Sequence, residues 1–144
     1  MKRAMAKSFK LEVITPERLF YEGEVEMVIV RTKLGYEGFM ADHAWAVKLL
    51  DTGILRIKEA GAKDFKIASI TGGFIDVADM VVVFTDAAEW PEEIDVERQK
   101  RKIKEAEERI KRAKQGTSEL QLAQISLNKA LNRMKVRSYY ENRK

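Results

Sequence analysis

The feature that most constrains this 144-residue chain is the change of hydrophobic period across residues 89–99. Before this stretch, apolar residues alternate with polar ones, as in half-buried strands, and glycines mark turns. After it, apolar residues recur every three or four positions, which is the period of amphipathic helices. Pro91 has no backbone donor and favours extended geometry at Trp90, so the stretch suits a connector. The chain is therefore predicted to contain two dissimilar modules.

The first module is typical of short strands joined by tight turns. Such a series predicts a β-sandwich or a flattened barrel, and the segregation of strands from helices argues against a parallel βαβ sheet. Residues 33–46 are predicted to be a loop, and Gly72-Gly73 predicts a bulge or a close backbone approach. The predicted strands are 9–13, 19–21, 25–31, 47–50, 54–57, 65–69, 74–77 and 80–85.

The second module predicts two helices joined by a short turn. Asp95 is expected to cap a first helix over 96–114, and Gly116 is expected to stop it. Either Thr117 or Ser118 is suited to cap the second helix. The sequence thus predicts an α+β chain, with an N-terminal antiparallel β-sandwich over 1–88, a linker over 89–95 and a C-terminal antiparallel αα-hairpin over 96–144.

The apolar seam of the predicted hairpin is narrow. Gln99 is its polar exception in the first helix, and alanines allow the two backbones to approach closely. A seam of this kind buries little surface, so the hairpin is expected to be marginally stable and able to change its docking. The seam residues are Val96, Ile103, Ala106, Ile110, Ala113, Leu120, Ala123, Leu127, Ala130, Leu131 and Met134.

The charge of the chain is unevenly distributed. Residues 91–144 carry 15 Lys and Arg against 9 Asp and Glu, whereas residues 1–90 carry 12 against 14. A basic tail allows an alternative hypothesis, in which a stand-alone β-sandwich adaptor uses its hairpin to bind an acidic protein or nucleic acid. Glutamates are interleaved with the basic residues, however, and this pattern favours a solvated helix face laced with ion pairs over a phosphate-tracking surface.

The sequence gives little support to a membrane-spanning protein or an enzyme. The chain has no cysteine, and its longest uncharged runs are nine residues, whereas a membrane-spanning helix needs about 20 apolar residues. Its single histidine, His43, has no partner in sequence for acid–base chemistry, and no phosphate-binding loop of the GxxxxGK[ST] type is present. We therefore predict no catalytic residue and no metal site, and any membrane contact is expected to go through a partner.

One group of charged residues supports a separate hypothesis. Asp95 and Arg98 lie within the first turn of the first predicted helix, and Lys129 and Arg133 lie four apart on the second. In a closed hairpin these side chains would converge, and Arg and Lys suit phosphate oxygens. On residue chemistry alone, a capping Asp95 with solvated cations is the simpler interpretation.

The order and spacing of several motifs resemble the epsilon subunit of bacterial F-type ATP synthases. The likeness extends from Phe9 to Val136, with the β module similar to the N-terminal domain of that subunit and the tail similar to its helical hairpin. The motifs are Val13-Ile-Thr-Pro-Glu17, Gly23-Glu-Val-Glu26, Gly35-x-x-Gly38, His43-Ala44, Gly53-Ile-Leu-Arg-Ile57 and Thr71-Gly-Gly-Phe74.

The resemblance implies a non-catalytic subunit of the rotor. In that family the sandwich packs on the gamma subunit and touches the membrane c-ring, and the hairpin either folds against the sandwich or extends along gamma and inhibits ATP hydrolysis. The implied partners are the gamma subunit, the c-ring and the catalytic alpha and beta subunits. The implied location is the cytoplasmic face of the cell membrane, without a membrane span. No nucleic acid is implied, and no cofactor is required.

The resemblance also implies a regulatory ATP site. Some members bind ATP through an Ile/Leu-Asp-x-x-Arg-Ala motif, which Ile94, Asp95 and Arg98 match, although Gln99 stands in place of the alanine. Glu89 matches an acidic position upstream of the motif. A pair of arginines on the second helix corresponds to Lys129 and Arg133, so the candidate nucleotide-binding residues are Glu89, Ile94, Asp95, Arg98, Lys129 and Arg133.

One loop departs from the family pattern. Members usually have Pro-Gly-His-Ala-Pro where this chain has Ala41-Asp-His-Ala-Trp45. Aspartate tolerates left-handed backbone geometry better than most residues, so Asp42 is expected to preserve the turn that glycine provides. Trp45 in place of proline is expected to alter the local shape of the loop.

Overall fold

The computed structural model describes residues 7–143, so the first six residues of the predicted β module and the last residue of the predicted hairpin lie outside it. The chain divides into two compact units, one ending at Ala88, which we call the β unit, and one beginning at Glu89. The elements are β1 (Phe9–Ile14), β2 (Leu19–Thr32), β3 (Gly35–Met40), β4 (Ala46–Leu50), β5 (Gly53–Glu59), β6 (Lys66–Ile70), β7 (Gly73–Val77), β8 (Val81–Phe84), β9 (Ala88–Glu89), a 3-10 helix (Pro91–Glu93), α1 (Val96–Arg112) and α2 (Ser118–Asn142).

The long strand β2 organises the sheet. Its first half pairs antiparallel with β1, and its second half pairs antiparallel with β3 and β5. The sequence predicted a break at Gly23, but the strand continues through it. The missing side chain makes room for the ring of Tyr21, because a Cβ at Gly23 would lie 2.8 Å from the phenolic oxygen. The glycine therefore serves packing and does not end the strand.

The remaining strands close this sheet on itself. Their order is β1-β8-β7-β4-β2-β5-β6-β9, with β3 attached to β2, and β1 returns to pair with β2. The circuit from β1 through β8, β7 and β4 back to β2 encloses the core, and the β1–β8 pair is parallel. The predicted α+β class, with a β-sandwich followed by a helical hairpin, is confirmed.

Large aliphatic side chains fill the interior of the β unit. Burial of each is worth about 1.5–3 kcal/mol relative to leaving it exposed, so the set supplies most of the driving force for folding this unit. The largest fully buried side chains are Phe39, Leu11, Ile54, Leu55, Ile57, Ile70, Ile75, Val13, Val25, Val28, Val30 and Val83.

The prediction of a loop over 33–46 was wrong, because β3 occupies residues Gly35–Met40. Backbone pairing with β2 holds this strand in place. Along its sequence, apolar and polar side chains do not alternate. Phe39 is fully buried, whereas Tyr36 and Met40 are about half exposed. Pairing with a neighbouring strand therefore overrides the turn-like composition.

Two of the residues with positive φ bear on predictions made from the sequence. Gly73 has φ +109°, and a Cβ there would lie 1.8 Å from the carbonyl oxygen of Phe84, which confirms the predicted close backbone approach. Asp42 adopts φ +66°, so it takes the left-handed conformation that the sequence predicted for the turn.

The helices begin at their predicted caps. The Asp95 carboxylate accepts a hydrogen bond from the Arg98 backbone N–H at 3.1 Å, and the Thr117 hydroxyl accepts one from the Leu120 N–H at 3.3 Å. Thr117 is therefore the cap of α2. The predicted end of the first helix at 114 was two residues too late, because α1 ends at Arg112 and Gly116, with φ +76°, lies in the connecting turn.

The hairpin formed by α1 and α2 buries small residues. In α1 the buried residues are Gln99 and Ala106, seven apart, and in α2 they include Ala123 and Ala130, also seven apart. Since the connection spans only residues 113–117, the two helices are antiparallel neighbours. The seam is thus narrow and alanine-rich, with one buried amide at its open end.

Candidate functional site

The charged cluster at the open end of the hairpin is the first candidate site. Arg133 on α2 donates a hydrogen bond from Nε to the Glu89 carboxylate, which precedes the 3-10 helix. The two side chains are only 13% and 27% exposed, so their attraction is less screened than that of a surface pair. The structure therefore brings these two predicted residues together.

Asp95 and Arg98 contact each other through the cap of α1. Asp95 uses Oδ1 to accept from the Arg98 backbone, and no other described residue donates a hydrogen bond to this carboxylate. Ile94, just before the cap, is buried, whereas the Arg98 side chain is exposed. The guanidinium of Arg98 is therefore available to a ligand.

Lys102 belongs to the cluster, although the sequence analysis did not select it. Partial burial lowers the pKa of Lys102, and the positive charges of Arg98 and Arg133 lower it further, while Glu89 opposes the shift. The signal in the sequence is its position one helical turn after Arg98, which places both cations on one face of α1. Glu89, Arg98, Lys102 and Arg133 are named here the charged cluster.

Lys129 is the predicted residue that the structure leaves outside this cluster. It lies one turn before Arg133 on α2, and it makes no hydrogen bond or ion pair with another residue of the range 7–143. The part of Lys129 in the site therefore stays a prediction. Lysine is flexible and lacks the rigid fork of arginine, so neighbouring groups orient it less strongly.

The chemistry of the charged cluster favours an anion. Besides partial burial, the charges of Arg98 and Arg133 lower the pKa of Lys102, and the carboxylates of Glu89 and Glu105 offset this only in part. A bound phosphate group would relieve the repulsion among the three cations. Among residues 7–143 there is no group of three or more acidic or histidine side chains placed to hold a metal ion. The cluster is suited to binding a phosphate-bearing ligand.

The second candidate site is an apolar face on the outside of the β unit. Cross-strand pairing aligns Leu49 with Phe74, Phe74 with Phe84, and Phe84 with Ile14, so one row crosses four strands. Leu49 is 63% exposed and Phe74 is 38% exposed. Beside this row a cleft of about 360 Å³ is lined partly by Ile14, Phe74 and Phe84. We call the following set the outer apolar face: Ile14, Val47, Leu49, Phe74, Val82 and Phe84.

The outer apolar face has acidic residues within it and at its rim. A second cross-strand row runs from Val47 through Asp76 and Val82 to Glu12. Asp86 lies at the cleft beside Phe84. Exposed apolar patches with polar rims are typical of protein–protein contacts, and this charge favours a partner with basic flanks.

The loop that contains the single histidine lies at the start of β4. The ring of His43 packs on Phe39 at 4.7 Å between centroids, and its Nδ1 lies 2.8 Å from the Ala44 carbonyl oxygen. These contacts fit the predicted packing role of His43. Trp45 lies directly before β4 and is 72% exposed. It stands two residues before the exposed Val47, so it extends the apolar surface of that strand.

No helix in the described part of the chain combines the length and apolar content that crossing a membrane requires.

The chain matches two protein-family descriptions in succession. Residues 8–91 match "ATP synthase, Delta/Epsilon chain, beta-sandwich domain", and residues 92–137 match "ATP synthase, Delta/Epsilon chain, long alpha-helix domain". The boundary between the two matches falls inside the connector that the change of hydrophobic period indicated.

Individual relatives and one solved structure agree with these matches. The chain is 43% identical over 139 residues to the ATP synthase epsilon chain of Caldanaerobacter subterraneus subsp. tengcongensis, covering 95% of this chain and 99% of the relative. It is 46% identical over 109 residues to that of Alkaliphilus metalliredigens, covering 75% and 80%. A chain in the cryo-EM structure of the Euglena gracilis mitochondrial ATP synthase superposes with TM-score 0.78 at 24% identity, covering 94% and 84%, and so has the same fold.

Proposed function

The chain belongs to the ATP synthase delta/epsilon family, and from this premise we propose that its two units divide the work of a central-stalk subunit. It is a non-catalytic subunit of the complex. The β unit anchors the chain to the gamma subunit and contacts the c-ring, so that ion-driven rotation is coupled to ATP synthesis. The hairpin reaches the alpha and beta subunits and restrains ATP hydrolysis. The chain thereby lies at the cytoplasmic face of the cell membrane without entering it.

The observation that carries the anchoring role is the outer apolar face. A row of apolar side chains across four strands, with Leu49 63% exposed, is costly to leave in water and gains free energy when a partner covers it. Strands β1, β8, β7 and β4 belong to the closed circuit, so each is paired with a neighbouring strand on both sides. Such pairing resists deformation, and the face is therefore suited to transmitting torque.

The anchoring role is tested by measuring association with the catalytic head that contains gamma. Leu49→Glu places a charge at the β4 end of the row, at its most exposed apolar side chain, and is expected to reduce the affinity at least tenfold, because an unpaired carboxylate would be desolvated in the contact. Leu34→Glu is the matched control, since Leu34 is 95% exposed in the turn between β2 and β3, outside the outer apolar face. Equal binding by the two variants would contradict the proposal.

The regulatory role of the hairpin is supported by its weak packing. Three of its fully buried residues are alanines, and its seam holds the Gln99 amide, whose Oε1 has no hydrogen-bond partner among the described residues, so little apolar burial holds the two helices together. An element of low intrinsic stability is suited to exchange between a folded and an extended arrangement. The sequence supports this hypothesis independently through the narrow apolar seam.

ATP is the regulatory ligand that we propose for the charged cluster. Arg98 and Arg133 would bind phosphate oxygens, and Asp95 would accept from the base or the ribose. Lys129 lies one turn before Arg133 on α2, so we include it in the proposed site as a further phosphate contact. No further cofactor is proposed.

The ATP site is tested by isothermal titration calorimetry on the full chain. Arg98→Ala is expected to abolish binding, whereas Lys104→Ala removes a charge from the opposite face of α1 and is expected to leave the affinity unchanged. Unchanged affinity in Arg98→Ala would remove this residue from the site, and a wild-type chain that binds no ATP would refute the ligand itself.

A further inference from the structure

The second helix of the hairpin is longer than the first. α1 has 17 residues and α2 has 25, and a connection over residues 113–117 makes them antiparallel neighbours. Residues 118–134 of α2 can therefore lie alongside α1, whereas its last eight residues, 135–142, extend past the start of α1. At 1.5 Å per residue this extension is about 12 Å long. We call residues 135–142 the overhang.

The overhang contacts the connector that precedes α1. Arg137 donates a hydrogen bond from Nη1 to the Pro91 carbonyl oxygen at 3.0 Å, and α2 packs against the 3-10 helix that begins at Pro91. Val136, beside Arg137, is fully buried. One turn earlier on α2, Arg133 donates to the Glu89 carboxylate. Two successive turns of α2 therefore hold the connector at two points.

Arg137 is oriented by its own helix. Its Nε donates to the Glu141 carboxylate, one turn later, at 2.8 Å, and its guanidinium carbon lies 5.8 Å from the centre of the Tyr140 ring. A guanidinium is planar and presents its donors in fixed directions. The bond to Glu141 within α2 therefore directs the remaining donors of Arg137 towards the Pro91 carbonyl oxygen.

The position of these contacts determines how strongly they oppose opening of the hairpin. Residues 113–117 tether the two helices at one end, so the helices can separate only from the other end, where Arg133 and Arg137 lie. The seam near that end buries Ala130 and Gln99, and the Oε1 of Gln99 has no hydrogen-bond partner among the described residues. Little apolar burial resists separation there, so the polar contacts with the connector carry a large share of the resistance.

We propose that the overhang is a clasp that keeps the hairpin closed without any ligand, with Arg137 as its closing contact. The inference rests on the proposed exchange of the hairpin between a folded and an extended arrangement, and it adds a contact that sets the balance. Extension requires Arg137 to leave the Pro91 carbonyl oxygen. The family description that the hairpin matches ends at residue 137, so most of the overhang lies beyond the segment which that description covers.

The test measures amide hydrogen exchange along the full chain by mass spectrometry, with the β unit as an internal reference. Arg137→Ala is expected to accelerate exchange in α2 and in the connector about tenfold, because one hydrogen bond from a charged donor no longer opposes opening. Lys135→Ala is the matched control. It removes the same charge from an exposed residue of the overhang that makes no hydrogen bond or ion pair within residues 7–143, and it is expected to leave exchange unchanged.

Glu141→Gln separates the clasp from the ion pair within α2. This variant weakens the pair with Arg137 and keeps the donor to Pro91, so it is expected to accelerate exchange only about twofold, as for an exposed ion pair one helical turn apart. Equal acceleration by Arg137→Ala and Glu141→Gln would overturn the clasp, since the pair within the helix would explain the result. Equal acceleration by Arg137→Ala and Lys135→Ala would also overturn it, since loss of charge would suffice.

A second measurement relates the clasp to the proposed function. The Arg137→Ala chain is added to the catalytic head depleted of this subunit, and it is expected to slow ATP hydrolysis more strongly than the wild-type chain at equal occupancy, because the extended arrangement is more populated. If exchange accelerates as expected while inhibition is unchanged, the clasp stands and the proposed restraint of hydrolysis by the hairpin fails. If neither changes, the clasp itself is refuted.

Discussion

The β unit buries large aliphatic and aromatic side chains, whereas the hairpin buries mainly alanines. Every one of the largest fully buried side chains lies in the β unit, among them Phe39 and Leu55, while the fully buried residues of α1 and α2 include Ala106, Ala123 and Ala130. Apolar burial scales with area, so the β unit gains far more per residue than the hairpin does. One chain therefore combines a unit with a large aliphatic core and a unit that far less apolar burial holds together.

The largest effect is expected from Gly73→Ala in the β unit. The new Cβ would lie 1.8 Å from the Phe84 carbonyl oxygen at a backbone φ of +109°, and neither backbone segment can move without breaking the β7–β8 ladder. The expected loss exceeds about 4 kcal/mol, which is exceptional for a point mutation. Denaturant unfolding measures it.

Gly116→Ala is the matched control for this change. Gly116 also has positive φ, +76°, but a Cβ there meets no atom within 4 Å. Its cost is expected to be about 1–2 kcal/mol from backbone strain alone. Similar losses in the two variants would mean that the close approach at Gly73 contributes little.

A smaller effect is expected from Ala123→Leu in the hairpin. Ala123 is fully buried, so the larger side chain would push α1 and α2 apart and cost about 1–3 kcal/mol. Ala123 belongs to the helical unit, so we expect helical circular dichroism to melt at a lower temperature while the strand signal of the β unit is unchanged. A single transition shifted as a whole would contradict this expectation, because it would mean that both units unfold together.

The cap of α2 offers a milder perturbation of the hairpin. Thr117→Ala removes the hydroxyl that accepts from the Leu120 N–H and is expected to lower hairpin stability by about 1 kcal/mol. Ser118→Ala, at the neighbouring position, is expected to change it by less. If Ser118→Ala had the larger effect, the cap would be misassigned. Thermal melts followed by circular dichroism compare the two variants.

The smallest effect is expected at a hydrogen bond of the β unit whose contribution to stability depends on pH. The Tyr21 hydroxyl donates to the Glu59 carboxylate at 2.8 Å, and this bond, followed by Lys66, holds the pKa of Glu59 below its usual value. A lowered folded-state pKa contributes stability at neutral pH that is lost as the pH falls through it. Tyr21→Phe is expected to cost about 0.5–1.5 kcal/mol at pH 7 and less below pH 4.

The pH dependence of this difference is measured by unfolding both chains at a series of pH values. A gap between the two chains that is constant from pH 7 to pH 3 would mean that Glu59 is not the acceptor that matters. A gap that widens as the pH falls would have the opposite sign from linkage through a depressed carboxylate pKa.

Much of this fold follows from the hydrophobic period of the sequence and from the residues that favour turns and caps. The predictions that were wrong have physical causes. The switch at Pro91, the cap at Asp95 and the close approach at Gly73 are local, so neighbouring residues suffice to predict them. The strand β3 and the continuity of β2 through Gly23 depend on pairing with distant strands. Pairing of this kind does not require apolar and polar residues to alternate along the strand, so the sequence of the strand alone does not reveal it.

The candidate site was predictable in part for similar reasons. Asp95 and Arg98 are close in sequence, and the resemblance to a family pointed to Glu89 and Arg133. The contribution of Lys102 emerged only when the helices were assembled, because its partners come from two separate segments. The row of side chains in the outer apolar face likewise depends on the register of four strands.

The division of work between the two units is tested most directly by ATP hydrolysis. The measurement uses the matching catalytic head depleted of this subunit, to which either the full chain or a chain ending at Glu93 is added, after circular dichroism confirms that the shorter chain is folded. We expect both chains to bind the head and only the full chain to slow hydrolysis. Equal inhibition by both chains, or a failure of either to bind, would contradict that expectation.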